Sequence, residues 1–525
     1  MPNDVATSSP EAGSSEPQAE VIAFLEQGAA FEAAVSRRID TNCASIFLSG
    51  DRAWKLKRAV RFGYLDFSTA NLRREALEAE LRLNRRTAPQ LYRAVHPIMQ
   101  APDGKLSIDG TGLEVDWLLE MQRFPDDALL DQMAERGQLD ERLLMRLADR
   151  IIAFHATAEI LTTGEGSTRF RSVVEGNIAS MKAFSEILEP EQTKLLSARL
   201  HHLTGEMAHL LDARGRTSRI RHAHGDLHLA NIALVDGEPT LFDCLEFSAE
   251  LATIDVLYDL AFLLMDLWHR DLRTEANLVF NRYLDLSPQD EQGIALLPLF
   301  LSTRAAIRAH VLAAQSMRAG RDRVLADMAR SYLDLSLALT QPGIPRLVAV
   351  GGLSGTGKSS LARLLGGGIG RAPGARILRN DVLRKRLAGL PPETRLPRDS
   401  YSEQAAARVY EMADQMAATM LALGQAVVAD AVFAKQDERV KIEAVARQAS
   451  VAFNGLWLEA PGETRLHRVG SRGADASDAD TAVAQAQAGL SIGDLGHWQR
   501  ISAAGPLNKV AADARQALNF GRAGT

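Results

Sequence analysis

Asp226 and Asn231, a carboxylate and a carboxamide five positions apart in His224-Gly225-Asp226-Leu227-His228-Leu229-Ala230-Asn231, are residue types at a spacing that can do chemistry. A short apolar run follows, then the turn Asp236-Gly237-Glu238-Pro239 and a second apolar run ending at Asp243. Asp-Gly is turn chemistry for a hairpin that pairs Ile232 to Val235 with Thr240 to Phe242. Such a hairpin brings Asn231 and Asp243 together beside Asp226. One base and two oxygen ligands for Mg2+ are what phosphoryl transfer requires.

A second constellation lies further along. Gly352-Leu353-Ser354-Gly355-Thr356-Gly357-Lys358-Ser359 fits the phosphate-loop pattern G-x-x-x-x-G-K-[ST] in full. The glycines let backbone N–H groups turn onto phosphate oxygens, and the N-terminus of the following helix, with Ser360 in its first turn, favours negative charge. Lys358 reaches the outer phosphates, and the Ser359 hydroxyl completes a Mg2+ shell. Gly352, Ser354, Gly355, Thr356, Gly357 and Ser360 supply the rest of the cradle. Ala426-Val427-Val428-Ala429-Asp430 is a buried-strand pattern ending in a carboxylate, suited to hold Mg2+ or to cap the next element.

These residues need elements to place them. Residues 1–22 are rich in Ser, Pro, Glu and Ala and read as a disordered tail, with helical patterning beginning at its end. Ile46-Phe47-Leu48 and Trp54-Lys55-Leu56-Lys57 flank Gly50-Asp51 as a hairpin, whose alternation puts Lys55 and Lys57 on one face and Trp54 and Leu56 on the other. Leu72, Ala76, Ala79 and Leu83 make a helical stripe over residues 69–86 that also carries Glu75, Glu78 and Glu80. Val115 to Met121 reads as a strand, helices dominate residues 140–214, and helices return over 254–339. Strands first and helices afterwards point to a two-lobed α+β domain with a cleft. Gln341-Pro342-Gly343-Ile344-Pro345 breaks the last helix and reads as a linker. Beyond it, alternating strands and helices over residues 346–525 predict an α/β domain with a parallel sheet.

With 525 residues the chain is too long for one ordinary core. A hydrophobic share of 46% and a charged share of 24% are those of a soluble globular protein. A formal net charge of -6 gives no global basic footprint for nucleic acid or anionic membrane. Only two cysteines, Cys43 and Cys244, rule against a disulfide framework and fit a reducing cytoplasm. No uninterrupted apolar run reaches the ~18 residues of a membrane span; Val256 to Trp268 is the most apolar stretch and is broken by Asp259 and Asp266.

His224-Gly225-Asp226 with Asn231 resembles the catalytic loop of aminoglycoside phosphotransferases and related protein-kinase-like enzymes. The resemblance covers residues 23–340 and implies Asp226 as the base, with Asn231 and Asp243 on Mg2+. Upstream it implies that Lys55 or Lys57 binds ATP phosphates, Lys55 being preferred, and that Glu80 rather than Glu75 or Glu78 orients the lysine. Asp255 and Asp259 match an acidic pair that supports the fold. Ala230 stands where family members often have glycine, and no glycine-rich loop precedes Lys55.

Arg379-Asn380-Asp381-Val382-Leu383-Arg384 resembles the substrate segment of phosphate-loop kinases such as polynucleotide and zeta-toxin-like kinases. That implies Asp381 as proton acceptor for the attacking hydroxyl and Arg384 as a ligand of substrate or phosphate; a capped, solvated helix start is the plainer reading. Arg465, Arg468 and Arg472, ahead of Asp475-Ala476-Ser477-Asp478, resemble the lid of small-molecule kinases, or are a solvated helix face. With Tyr64-Leu65-Asp66-Phe67-Ser68-Thr69, the whole chain resembles a bacterial family that fuses an aminoglycoside phosphotransferase-like domain to a phosphate-loop domain.

The expectation is a cytoplasmic ATP- and Mg2+-dependent phosphotransferase acting on a small-molecule hydroxyl, with a second ATP site and no membrane partner. A polynucleotide acceptor for the second domain stays open by its likeness to polynucleotide kinases. Two rivals use the same residues. A phosphate-loop ATPase switch would control a non-catalytic kinase-like module. A two-zinc hydrolase would use His222, His224, Asp226 and His228, but Leu227 stands where a ligand is needed.

Overall fold

The computed structural model describes residues 18–518 apart from 28–29, 32, 42, 63–64, 472–475 and 488. Contacts divide the chain into two compact units, residues 1–138 with 222–254, and residues 139–221 with 255–525.

In the first unit, helix α1 (Ala19–Glu26) precedes strands β1 (Val35–Asp40), β2 (Ala44–Ser49) and β3 (Arg52–Lys57). The tail assigned to residues 1–22 is therefore shorter on its C-terminal side, because Gln18 is buried and tied down. Its side-chain amide donates to the Lys57 carbonyl at 2.8 Å and to Asp116 at 2.6 Å. Helix α2 (Ala70–Asn84) opens on Thr69, whose hydroxyl accepts from the Leu72 N–H. Strands β4 (Tyr92–Gln100), β5 (Leu106–Ile108) and β6 (Leu113–Gln122) complete an antiparallel sheet of order β1-β2-β3-β6-β4-β5.

The period of two decides which way β3 faces. Leu56 joins Leu25, Phe47, Ile98 and Leu118 in the core on the α1 side, while Lys55 and Lys57 point to the α2 side. On that side Leu77, Tyr92, Trp117 and Leu119 pack together. The later hairpin, β7 (Ile232–Val235) with β8 (Glu238–Leu241), has Ile232 opposite Leu241 and Val235 opposite Glu238. Only Asp236 and Gly237 form its turn, with φ of 51° and 78°. This left-handed pair is the tight turn that matches strand twist, so the second strand starts at Glu238 rather than at Thr240.

The second unit holds helix α3 (Glu141–Thr157), capped by Asp140, and helices α4 (Val256–His269), α5 (Arg273–Leu286) and α6 (Leu297–Arg318). Asp255 accepts from Arg214 at 2.5 Å and caps α4, and Asp259 lies 3.0 Å from the buried His155 ring. Both carboxylates hold helices together. The apolar stretch singled out at Val256 to Trp268 gives way to a longer one: Pro288–Arg318 alone, among the described residues, has the length and composition to cross a membrane, and 67% of its apolar window is buried inside the fold.

The same unit contains a parallel sheet, β9 (Arg346–Gly352), β10 (Arg376–Arg379), β11 (Val427–Asp430), β12 (Ala452–Glu459) and β13 (Gln499–Ser502), in the order β10-β11-β9-β12-β13. Its central strands β9 and β11 are near-continuous apolar runs because both faces are covered. The contact boundary differs from the linker at 341–345, and the reason is chemical. Asn277 of α5 donates to the carbonyls of Pro373 and Ala375, at 3.0 and 2.8 Å. Arg376, fully buried, pairs with Asp285 at 2.7 Å and with Glu291 at 3.0 Å. The region before residue 341 is α+β, and the region after it is α/β with a parallel sheet.

Candidate active site

Two clusters gather the chemistry-bearing residues, one in each unit. In the first, Lys55 Nζ lies 2.7 Å from Glu80 and 2.6 Å from Asp243. Glu80 is fully buried and is shared, since its second carboxylate oxygen lies 2.6 Å from Lys57 Nζ. Lys57 in turn pairs with Glu246 at 2.6 Å. Both lysines therefore meet the same glutamate, but only Lys55 reaches Asp243. Glu75 and Glu78 take no part, with Glu75 bonded to Asn71 and Glu78 to Arg74.

Burial opposes charge here and is outweighed by pairing. It would lower both lysines, yet the facing carboxylates raise Lys57 and lift Lys55 well above the ordinary value. Burial would raise Asp243, but the Lys55 and Lys57 ammonium groups hold it below the usual carboxylate range. Glu246 goes the other way: burial lifts it despite Lys57.

Asp226 and Asn231 stand together in the loop before β7. Asn231 donates through its side-chain nitrogen to the Asp226 carbonyl and carboxylate, both at 2.9 Å. Its amide oxygen is thereby turned away from Asp226. His228 lies 3.5 Å from the Asp226 carboxylate, and His224 Nε2 donates to the Phe242 carbonyl at 2.9 Å. Asp243 leaves the hairpin with φ of 60°, and its backbone N–H donates to the Tyr92 hydroxyl at 3.1 Å. Aspartate tolerates that left-handed conformation better than most side chains.

This donor set suits Mg2+: oxygen ligands from Asn231 and Asp243, a base, and a lysine for phosphate. Among the described residues no group of three or more His, Cys, Asp and Glu side chains is arranged to hold a metal, which leaves the zinc alternative without a ligand set. Sequence reasoning paired Glu80 with one of the two lysines and missed that it serves both, and it missed Glu246 and Tyr92 altogether. The available signal for Glu246 was a carboxylate between apolar neighbours in Leu245-Glu246-Phe247, three residues after Asp243.

The second cluster surrounds the loop between β9 and helix α7 (Lys358–Gly366). Gly355 and Gly357 have φ of 84° and 93°, and a Cβ on Gly355 would run into the Arg465 carbonyl. A Cβ on Gly352, at φ of 142°, would sit 2.8 Å from the Leu458 carbonyl. Thr356 donates to the Leu353 carbonyl at 2.8 Å, and Lys358 Nζ reaches the same carbonyl at 3.2 Å. The Ser354 N–H donates to the Gln487 side chain at 2.7 Å.

Ser359 donates its hydroxyl to Asp430 at 2.6 Å, across the step from α7 to the end of β11. A hydroxyl and a carboxylate in contact at the loop's mouth are the oxygen pair Mg2+ takes beside ATP. Asp381, in helix α8 (Asn380–Leu387), lines the same cleft, with a volume of about 1210 Å³. Burial raises its carboxyl, against the charges of Arg379 and Lys358 and a hydrogen bond from Ser477. Arg384 donates to the Ser400 carbonyl at 2.9 Å and stacks over the Tyr401 ring.

Ser360 is exposed and lines the cleft. In helix α9 (Gly462–Gly470), Arg468 reaches the Thr356 carbonyl at 3.4 Å, while Arg465 is buried. Arg472 and Asp475, like Tyr64, lie outside the described residues. Asp478, from the same run, receives Lys385, the Tyr401 hydroxyl and the Leu396 N–H. It ties the chain at Asp478 to α8 and to residues 396 and 401.

Residues 347–490 match the family described as an AAA domain. Among solved structures, an amicoumacin kinase in complex with AMP-PNP, Ca2+ and Ami is 14% identical, covering 61% of this chain and 94% of its own, with a TM-score of 0.38. A gluconokinase from Sinorhizobium meliloti 1021 is 18% identical, covering 33% of this chain and 92% of its own, with a TM-score of 0.26. An uncharacterized protein of Mycobacterium tuberculosis (strain H37Rv) is 30% identical over 492 residues, 90% of this chain and 94% of that relative. The chain belongs to the family of that mycobacterial protein.

Proposed function

We infer that the chain is an ATP-dependent phosphotransferase with two nucleotide sites, the first acting on a hydroxyl of a small molecule. The observation that carries this reading is Lys55 held between Glu80 and Asp243, in the unit that also pairs Asp226 with Asn231.

In the first site Asp226 takes the proton of the attacking hydroxyl as its oxygen bonds to the γ-phosphorus of ATP. The bond from that phosphorus to the β–γ bridging oxygen breaks, and ADP leaves. Lys55 turns from Asp243 toward phosphate oxygens while Glu80 keeps it in place. Asn231 and Asp243 would hold Mg2+, which supplies charge neutralisation on the phosphates when bound.

In the P-loop site, the backbone of residues 354–359 and Lys358 bind the phosphates, Ser359 and Asp430 would hold the metal, and Asp381 is the base. A raised carboxyl is suited to that role, because a base works best with a pKa near the operating pH. The experiment is acceptor-dependent ADP formation against a panel of sugars, amino alcohols and nucleosides, with Asp226→Asn and Asp381→Asn tested separately in the full chain. The reading requires each substitution to remove the turnover of its own site and leave the other.

A further inference from the structure

One backbone amide of the P-loop is bonded to a side chain 133 residues downstream. The Ser354 N–H donates to the side-chain oxygen of Gln487 at 2.7 Å. Gln487 is the last residue of helix α10 (Thr481–Gln487), and both partners line the cleft over the loop.

The place of that amide along the loop decides what else it could bind. Lys358 Nζ lies 3.2 Å from the Leu353 carbonyl, whose carbon carries the Ser354 nitrogen. The lysine of such a loop serves the β- and γ-phosphates, so Ser354 stands at the outer-phosphate end. An inward-turned N–H there is a donor for a phosphate oxygen. Gln487 offers a neutral carbonyl oxygen to the same hydrogen, and the two acceptors compete for it.

The segment that carries α10 is held differently at its two ends. At its start, one oxygen of Asp478 accepts from Lys385 Nζ, the Tyr401 hydroxyl and the Leu396 N–H. Lys385 is fully buried, and parting a buried ion pair is costly. The neighbouring Ser477 bonds to Asp381. At the far end the hold is a neutral hydrogen bond with little apolar burial behind it. Among the described residues of α10 only Ala484 is buried, and Val483 is exposed. A charge-assisted bond from the Ser354 N–H to phosphate outweighs a neutral one to an amide oxygen. The Gln487 end is therefore the one that gives way.

We propose that Gln487 is the γ-phosphate sensor of the P-loop site: ATP displaces its side chain from the Ser354 N–H and releases α10, whereas ADP leaves that bond in place. The inference rests on the nucleotide-binding reading of the loop. It links the outer phosphate to a segment whose other end, at Ser477 and Asp478, touches Asp381 and α8.

The test is equilibrium binding of AMP-PNP and of ADP, each with Mg2+, to the full chain carrying Lys55→Met to silence the first site. Gln487→Ala removes the competing oxygen and raises AMP-PNP affinity about three- to tenfold, with ADP affinity changed less than about twofold. Gln487→Glu puts a carboxylate on the same N–H, against the incoming negative charge, and lowers AMP-PNP affinity by about tenfold or more. With Gln487 intact, amide hydrogen exchange over residues 481–487 becomes faster with AMP-PNP and not with ADP. AMP-PNP affinity unchanged or lowered by Gln487→Ala, equal gains for both nucleotides, or slower exchange with AMP-PNP overturns the proposal. If Lys358→Ala in the same background leaves both affinities untouched, the P-loop reading itself fails, and the proposal with it. A loss of affinity in Lys358→Ala with no effect of Gln487→Ala removes the sensor alone.

Discussion

Lys55 Nζ lies 2.6 Å from the Asp243 carboxylate, although 188 residues separate them in the chain. The contact joins the lysine proposed to bind phosphate to the aspartate proposed to hold the metal, and Glu80 holds the lysine from the other side. An exposed ion pair would mean little, but this one has a buried lysine, is half-exposed at the aspartate, and forms part of a five-membered network.

Lys55 and Lys57 separate by function within that network. Lys55→Met, in a full chain carrying Lys358→Ala to silence the second nucleotide site, is expected to weaken ATP binding by about a hundredfold. Lys57→Met leaves Glu246 and one Glu80 oxygen unpaired and is expected to cost mainly stability, with a smaller loss of affinity. Titration with a fluorescent ATP analogue and urea unfolding of both variants check the split. A larger loss of affinity in Lys57→Met would reverse the assignment.

Lys358→Ala is expected to reduce nucleotide affinity at the P-loop about a hundredfold. Equilibrium binding in an Asp243→Asn background, where the first site is impaired, isolates the effect.

The P-loop sheet is anchored by Arg376, whose partners Asn281, Asp285 and Glu291 all lie before residue 341. Arg376→Met leaves Asp285 without its arginine, while Glu291 keeps Arg386 at 3.0 Å, and is expected to destabilise the second unit by about 3 kcal/mol in urea denaturation. A fragment beginning at residue 345 exposes the same arginine and is expected to aggregate or to melt well below the full chain.

His310 gives the fold a pH dependence. Burial depresses its imidazole to about 4, and Nε2 lies 2.9 Å from the Asn177 side-chain oxygen. The unfolded chain binds this proton near pH 6.5 and the folded chain only near 4, so the unfolded state holds more protons in between. Stability is full above pH 6.5 and falls as pH drops toward 4, by about 3 kcal/mol from this group. His310→Gln is expected to remove that share of the slope in unfolding free energy measured from pH 7 to pH 4.5.

Local pattern made much of this legible. Strand alternation placed Lys55 and Lys57 on one face, a helical stripe carried Glu75, Glu78 and Glu80, of which the family resemblance singled out Glu80, and Asp236-Gly237 announced the hairpin that returns Asp243. The sharing of Glu80 was not legible, because pairing depends on side-chain reach across β3 and α2 and not on spacing within either. Arg376 was hidden for a related reason: its role comes from contacts between elements far apart in sequence, where neither period nor motif speaks. The linker at Gln341 to Pro345 marked a break in the chain, but Asn277, Asn281 and Asp285 hold the two sides of it together.

The central claim is that Asp226 is the base of a phosphoryl transfer in the first site. Acceptor-dependent ADP formation by the full chain carrying Lys358→Ala, with and without Asp226→Asn, tests it most directly. The account predicts that Asp226→Asn lowers turnover by about 10²–10⁴-fold while ATP binding stays within about twofold. Turnover unchanged by Asp226→Asn, with ATP still bound, would contradict it.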